Sequence, residues 1–146
     1  MLYEIIVVFR VCIAAVLGFI VGAERKRKKY GASGRTYSLV AIGAAGAVAT
    51  LAPYFPNGEA TIIGGVLTSI GFLGAGLIIK QNTEGASGLT TAASLWATAV
   101  MGVMVGSGHY FSAAALSILV FLVLSINRFW PFRYETKEPL DKGLPK

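Results

Sequence analysis

Thr61-Ile62-Ile63-Gly64-Gly65-Val66-Leu67-Thr68-Ser69-Ile70-Gly71-Phe72-Leu73-Gly74-Ala75-Gly76-Leu77-Ile78-Ile79 contains no charged residue and no proline. About 20 consecutive, predominantly apolar residues cross the hydrocarbon core of a bilayer as an α-helix. The run is too long and too uniformly apolar for a strand of a membrane barrel, whose residues alternate, and helices and closed barrels are the only folds that satisfy every backbone group in lipid. The stretch therefore reads as a spanning helix.

Four further runs of the same kind flank it. They cover roughly Ile5 to Ala23, Ser38 to Phe55, Ala92 to Gly106 and Tyr110 to Asn127, the fourth span in chain order being short. The expected fold is all-α: a polytopic membrane bundle of about five transmembrane helices. Residues 1–127 form the membrane domain, and residues 128–146 form an interfacial anchor and a short disordered tail on the cytoplasmic side. The first run has no basic segment before it and is interrupted by Arg10, so it reads as an uncleaved span rather than a secretory leader.

Composition agrees. Charged residues make up 14% of the 146 positions against 55% hydrophobic, where soluble domains carry about 25% charged. The net charge of +6 does not point to nucleic acid, because its distribution is that of a membrane protein. Twelve of the 13 Lys and Arg residues fall in the first loop, at Lys80 and in the tail. With five spans all twelve lie on one side. The positive-inside rule then places the N-terminus outside and the C-terminus inside. The segment Arg128-Phe129-Trp130-Pro131-Phe132-Arg133-Tyr134 has the aromatic and basic mixture of the headgroup layer. Cys12 is alone and forms no intrachain disulfide; it reads as a small packing residue.

Glycine and alanine recur inside the spans. Gly18 and Gly22, and Gly102 and Gly106, form GxxxG pairs. They suit close helix packing within the chain or a homo-oligomer interface. Gly71, Gly74 and Gly76 crowd the third span, which allows either a kink near Gly74-Ala75-Gly76 that exposes carbonyls or a tightly packed helix. Arg10 is an intramembrane charge, open to a functional role, to snorkelling or to pairing with Glu4 or Glu59. Glu24, Arg25, Arg35, Thr36, Thr90 and Thr91 gather at the cytoplasmic rim. There Thr36, Thr90 and Thr91 are candidate helix caps, and Glu24 can pair with Arg35. Carboxylates sit only at the rims, which leaves Glu24 and Glu84 as weak metal-ligand candidates. One histidine cannot build a His-based metal site, and neither a phosphate-binding loop nor a catalytic triad is present. No enzyme activity and no cofactor are expected, with Mg²⁺ a possible ligand.

Gly22-Ala23-Glu24-Arg25, Gly34-Arg35-Thr36, Gly43, Gly71-Phe72-Leu73-Gly74-Ala75-Gly76 and Gly88-Leu89-Thr90-Thr91-Ala92-Ala93-Ser94-Leu95-Trp96 together resemble the membrane domain of the MgtC/SapB family. The resemblance covers roughly Arg10 to Asn127. It implies a multi-pass protein of the bacterial or archaeal inner membrane, tied to magnesium homeostasis and growth at low Mg²⁺. Some members of the family are labelled magnesium transporters, whereas others look like regulators acting through membrane partners such as the ATP synthase. Many carry a soluble ACT-like domain after the last span, for which this sequence has no counterpart. Three functions are therefore expected in order: a non-enzymatic regulator, an oligomeric transporter or channel for Mg²⁺ or another ion, and a binder of anions or lipid headgroups at the inner rim.

The topology is directly testable. Cysteines placed at Asn57 and Gln81 in a Cys12→Ala background should react with a membrane-impermeant thiol reagent from opposite faces. Labelling of both from the same face would eliminate the five-span arrangement.

Overall fold

The computed structural model describes residues 1–26, 32–80 and 86–129. Five helices follow one another: α1 (Leu2–Lys26), α2 (Gly34–Leu51), α3 (Glu59–Lys80), α4 (Ala86–Gly106) and α5 (Tyr110–Phe129), with a short 3₁₀ turn at Ala52–Tyr54. The described residues contain no strand. Helices α1 to α4 each contain a stretch long and apolar enough to cross a membrane, and α5 contributes a shorter apolar stretch, Tyr110–Ile126. The chain is thus a helical membrane bundle. Glu84, the segment 130–146 and the side chains from 127 to 129 lie outside the described residues.

Each boundary has a local cause. α2 stops at Leu51 because Pro53 has no N–H to give the Ala49 carbonyl and its ring crowds the preceding turn. The Tyr3 hydroxyl donates to that Ala49 carbonyl instead, which joins α1 to the end of α2. α4 ends in a left-handed cap: Gly108 has φ of 88°, its N–H bonds the Val105 carbonyl at 3.0 Å, and the His109 N–H bonds the Met104 carbonyl at 2.8 Å. Glycine is required at 108 for that φ and also for space, since a Cβ there would lie 3.2 Å from Arg10 Nη2. Glu59, in the first turn of α3, sits where a helix dipole favours an anion. It accepts a hydrogen bond from the Ser107 hydroxyl at 3.2 Å.

The fourth helix is not short. It begins at Ala86, a turn and a half before the expected Ala92, because Ser87, Gly88 and Thr90 are carried inside the helix rather than ahead of it. α3 is α-helical throughout, without the kink at Gly74-Ala75-Gly76. An unwound turn facing lipid would strand backbone groups that nothing else in the chain satisfies, and this outweighs the glycine penalty of roughly 1 kcal/mol per residue.

α4 is the central helix: 61% of its spanning window is buried, against 11% for α3. α2 lies between α1 and α4, and glycines set both spacings. A Cβ at Gly18 would meet the Tyr37 carbonyl oxygen at 2.7 Å, and one at Gly22 would meet Gly34 Cα at 2.6 Å. On the other side, a Cβ at Gly102 would lie 2.6 Å from the Ala41 carbonyl oxygen, and one at Gly106 would lie 2.7 Å from that of Ala45. Both GxxxG pairs are therefore spent on packing within the chain. α3 differs. Gly74 is buried at 3.5 Å from Ala92 Cβ, whereas Cβ atoms at Gly64, Gly65, Gly71 and Gly76 would find nothing within 4 Å. Cys12 is exposed on α1 and does not pack in the core.

These contacts order a set of glycine substitutions. Gly18→Ala and Gly102→Ala push a methyl group into backbone and should cost about 1–3 kcal/mol, the usual penalty of overpacking. Gly65→Ala meets open space and should be neutral, or stabilising by up to about 1 kcal/mol through helix propensity. Thermal unfolding midpoints in detergent would check this; equal losses at all three positions would show that the close approach of α2 is not built on glycine.

Candidate functional site

Arg10 and Arg25 of α1 lie fifteen positions apart, and both reach α4. Arg25 is 4% exposed and donates from Nη2 to Thr91 Oγ1 at 2.5 Å, near the start of α4. Arg10 donates from Nη1 to the Gly106 carbonyl at 2.5 Å and from Nε to the Tyr110 hydroxyl at 3.2 Å, at the end of α4. Its charge sits at a helix C-terminus, where terminal carbonyls lack intrahelical partners and the dipole is negative. Arg10 thus holds the α4–α5 corner and bonds neither Glu4 nor Glu59.

From Arg25 a buried polar column runs inward along α4. Thr91, Ser94 and Thr98 follow at i, i+3 and i+7 and share one helix face. All three are buried, as is Tyr37 of α2. The Ser94 hydroxyl donates to the Thr91 carbonyl at 2.9 Å, and the Thr98 hydroxyl donates to the Ser94 carbonyl at 2.8 Å. Tyr37 Oη and Ser94 Oγ lie 2.6 Å apart. A serine hydroxyl has one hydrogen, here given to Thr91, so Tyr37 is the donor of that bond. The column then stops. The next layer on the same side is Ala14, Ala41, Ala45, Met101, Val105 and Ala113, an apolar cluster. Thr98 and Gly106 are eight positions apart, about 12 Å at 1.5 Å per residue, without another buried side-chain hydrogen bond between them among the described residues.

The rim residues separate into two groups. Glu24, Arg25 and Thr91 are buried, whereas Arg35, Thr36 and Thr90 are exposed. The expected Glu24–Arg35 pair does not form. Arg35 points away on the first turn of α2, and the buried arginine beside Glu24 in sequence is Arg25. Among the described residues no hydrogen bond or ion pair reaches the Glu24 carboxylate, although the residue is only 6% exposed. The three threonines are not caps either. Ser33 occupies the N-cap of α2, with no cap bond from its side chain, and Thr36 is inside the first turn. Thr90 and Thr91 are the fifth and sixth residues of α4. Gly71 and Gly76 are exposed and only Gly74 is buried, so the α3 glycines do not converge on the column. Among the described residues no three His, Cys, Asp or Glu side chains come together in a metal-binding group. Ser94, Thr98 and Tyr37 were not anticipated; the hydroxyl recurrence at 91, 94 and 98 was the available signal.

A helical membrane protein with this rim, this column and these paired glycines can be compared with known sequences. The profile of the MgtC family matches residues 11–130. The chain belongs to the MgtC family. It is 38% identical over 107 residues to "Protein MgtC" of Salmonella typhimurium strain LT2, covering 73% of this chain and 46% of that protein. It is 32% identical over 139 residues to the Escherichia coli K12 protein named "Putative magnesium transporter YhiD", covering 89% of this chain and 64% of that one. A Haemophilus influenzae protein is 29% identical over 134 residues, with 85% and 56% covered. The chain thus spans about half to two thirds of the length of these relatives. No solved structure matches it. Family and fold together make it a helical membrane protein of the MgtC family.

The column predicts a hierarchy of effects. Arg25→Ala removes a charge-assisted bond, worth about 1.5–3 kcal/mol. Tyr37→Phe removes one interhelical hydroxyl bond, worth about 0.6 and at most roughly 1.7 kcal/mol in membranes. Arg35→Ala should leave the unfolding midpoint unchanged. A larger loss for Arg35→Ala than for Arg25→Ala would restore the Glu24–Arg35 pairing.

Proposed function

We propose that this chain supports magnesium homeostasis in the plasma membrane as a non-enzymatic regulator that binds other membrane proteins, rather than as a conduit for Mg²⁺. The observation that carries the reading is the polar column that ends half-way. A hard divalent ion gives up hydration only to oxygen ligands. Here the hydroxyls of Thr91, Ser94 and Thr98 lead from the rim to mid-membrane and meet a layer of alanine, valine and methionine. On the far side Arg10 adds a fixed positive charge, an electrostatic barrier to cations. Glu24 is the residue we assign to contact with a cation or a partner, because an ionisable side chain at the rim of a membrane bundle, with no bonded partner among the described residues, is a functional candidate by default. The relatives' names support the link to magnesium and leave its form to the structure's own argument.

A second reading, a Mg²⁺-conducting oligomer, is favoured by α3. Cβ atoms at Gly64, Gly65, Gly71 and Gly76 would meet none of the described residues within 4 Å, and Thr68 and Ser69 are exposed beside them. Several copies could set these helices around a pore, with Glu24 or Glu84 in rings.

The decisive experiment is purified protein in liposomes holding a Mg²⁺-sensitive dye, together with growth of a complemented strain at low Mg²⁺. The regulator reading expects uptake no greater than in empty vesicles, with growth support lost in Glu24→Gln. Saturable uptake abolished by the same substitution would overturn it in favour of the oligomeric transporter.

A further inference from the structure

On a face of α2 away from the hydroxyl column, a groove of about 510 Å³ runs between α2 and α3. Its floor includes Val40 and Ala44, and its lips are Leu39 and Leu73, both more than half exposed. The walls are apolar in effect. Ser69 lines them but its hydroxyl donates to the Val66 carbonyl of its own helix at 2.8 Å. A Cβ at Gly43 would meet nothing within 4 Å, so none of the described residues fills the space above it.

Three features choose the occupant. The first is length. The α2 wall extends from Thr36 to Ala47, eleven steps along the helix or about 16 Å, which is one leaflet of a ~30 Å hydrocarbon core. The second is closure at the far end. There the connection through Ala52–Tyr54 draws the two helices together, and Ala52, Ile62 and Ile63 pack on the cluster of Val48 and Val103. A spanning partner helix needs the full depth of the membrane and about 10 Å of width, so a groove of one leaflet does not suit it. An acyl chain does fit that depth. The third is charge at the open end. Arg35 and Thr36 are exposed on the first turn of α2. That turn begins at Ser33 without a side-chain cap, so the helix presents its positive dipole end beside the guanidinium. Apolar depth and a cationic mouth are complementary to a phospholipid with an anionic headgroup.

We propose that the α2–α3 groove is a binding site for one anionic phospholipid of the adjacent leaflet. One acyl chain lies over Gly43 and Ala47, and the phosphate rests on Arg35 and the first turn of α2. The site stands whether the protein regulates partners or conducts an ion. It also gives a reason for the small side chains of Gly43 and Ala47 along the groove: they leave depth for an acyl chain.

Native mass spectrometry of the full purified chain in neutral detergent tests this, with phosphatidylglycerol and phosphatidylcholine of identical acyl chains titrated separately. The wild type should retain one phosphatidylglycerol about fivefold more strongly than phosphatidylcholine, the ratio one basic side chain near a headgroup supplies. Gly43→Leu should lose retention of both lipids while keeping its helical circular dichroism, and Arg35→Gln should keep retention but bring the ratio to about one. Glycerol phosphate alone should not compete. Equal retention of the two lipids by wild type, or unchanged retention by folded Gly43→Leu, would overturn the site as ordinary annular lipid. A wild-type dimer that Gly43→Leu converts to monomer would give the groove to a second copy and overturn the lipid assignment. If Gly43→Leu does not fold, Arg35→Gln decides alone, and an unchanged ratio sinks the proposal.

Discussion

The backbone of α2 is gripped on two sides by glycine, and the rest of the bundle depends on that grip. Lipid tails are as apolar as leucine, so helices in a membrane gain little from hiding apolar surface and associate through close packing and hydrogen bonds. Gly18 and Gly22 let α1 approach Tyr37 and Gly34, while Gly102 and Gly106 let α4 approach Ala41 and Ala45. Each of these glycines replaces a Cβ that would fall inside 3 Å of another helix. With α2 seated, its inward alanines meet α1 and α4, and Tyr37 comes within reach of Ser94. The Ser38 hydroxyl, on the other flank, donates to the Ala15 carbonyl at 3.0 Å. Packing at this distance is what turns isolated hydroxyls into bonds between helices.

Register between α1 and α4 is fixed separately. Arg10 and Arg25 are fifteen residues apart, and so are Gly106 and Thr91, their acceptors on α4. Two antiparallel helices with equal spans between their clamps can be satisfied in one register only. A slide by one residue would break both bonds and bury guanidinium groups without them, which costs far more in lipid than in water. The arginines therefore specify alignment, and the glycines specify distance. An ion pair such as Glu24 with Arg35 would have done neither, because the first turn of α2 turns its arginine outward to the headgroup level.

Much of this was legible in the sequence. The five helices, the use of GxxxG for packing and the gathering of Glu24 and Arg25 at one rim follow from apolar run length, small-residue spacing and the placement of charge. What was not legible has physical reasons. Which of two nearby arginines turns inward depends on helix phase. A shift of the α2 start from Ser38 to Gly34 and of the α4 start from Ala92 to Ala86 carries Thr36, Thr90 and Thr91 from cap positions into helices. Ser94 and Thr98 were hidden because a lone hydroxyl in an apolar run costs little and attracts no notice until its helical phase is known. The glycines of α3 look like a break in one dimension. In three they mark a helix left with an uncovered face.

The placement of the polar groups bears on mechanism. On the side of the basic loop the bundle holds a buried carboxylate, a buried guanidinium and a hydroxyl column. On the opposite side it holds one arginine whose bonds end on a helix terminus and a tyrosine. Between them lies the apolar cluster of Ala14, Ala41, Ala45, Met101, Val105 and Ala113. An alternating-access transporter places its substrate site near the membrane midplane, commonly where helices are interrupted and carbonyls are exposed. Here α1, α3 and α4 all pass the midplane as unbroken helices. Moving an ion through a single copy would require unwinding helices whose register is locked by Arg10 and Arg25. Signalling from the basic side requires less: Arg25 is already bonded through Thr91 to Ser94 and Tyr37, and so to the packing of α2 against α4. The buried bonds of the bundle join the rim on one side to a helix contact, and this is the physical ground of the regulatory role proposed above.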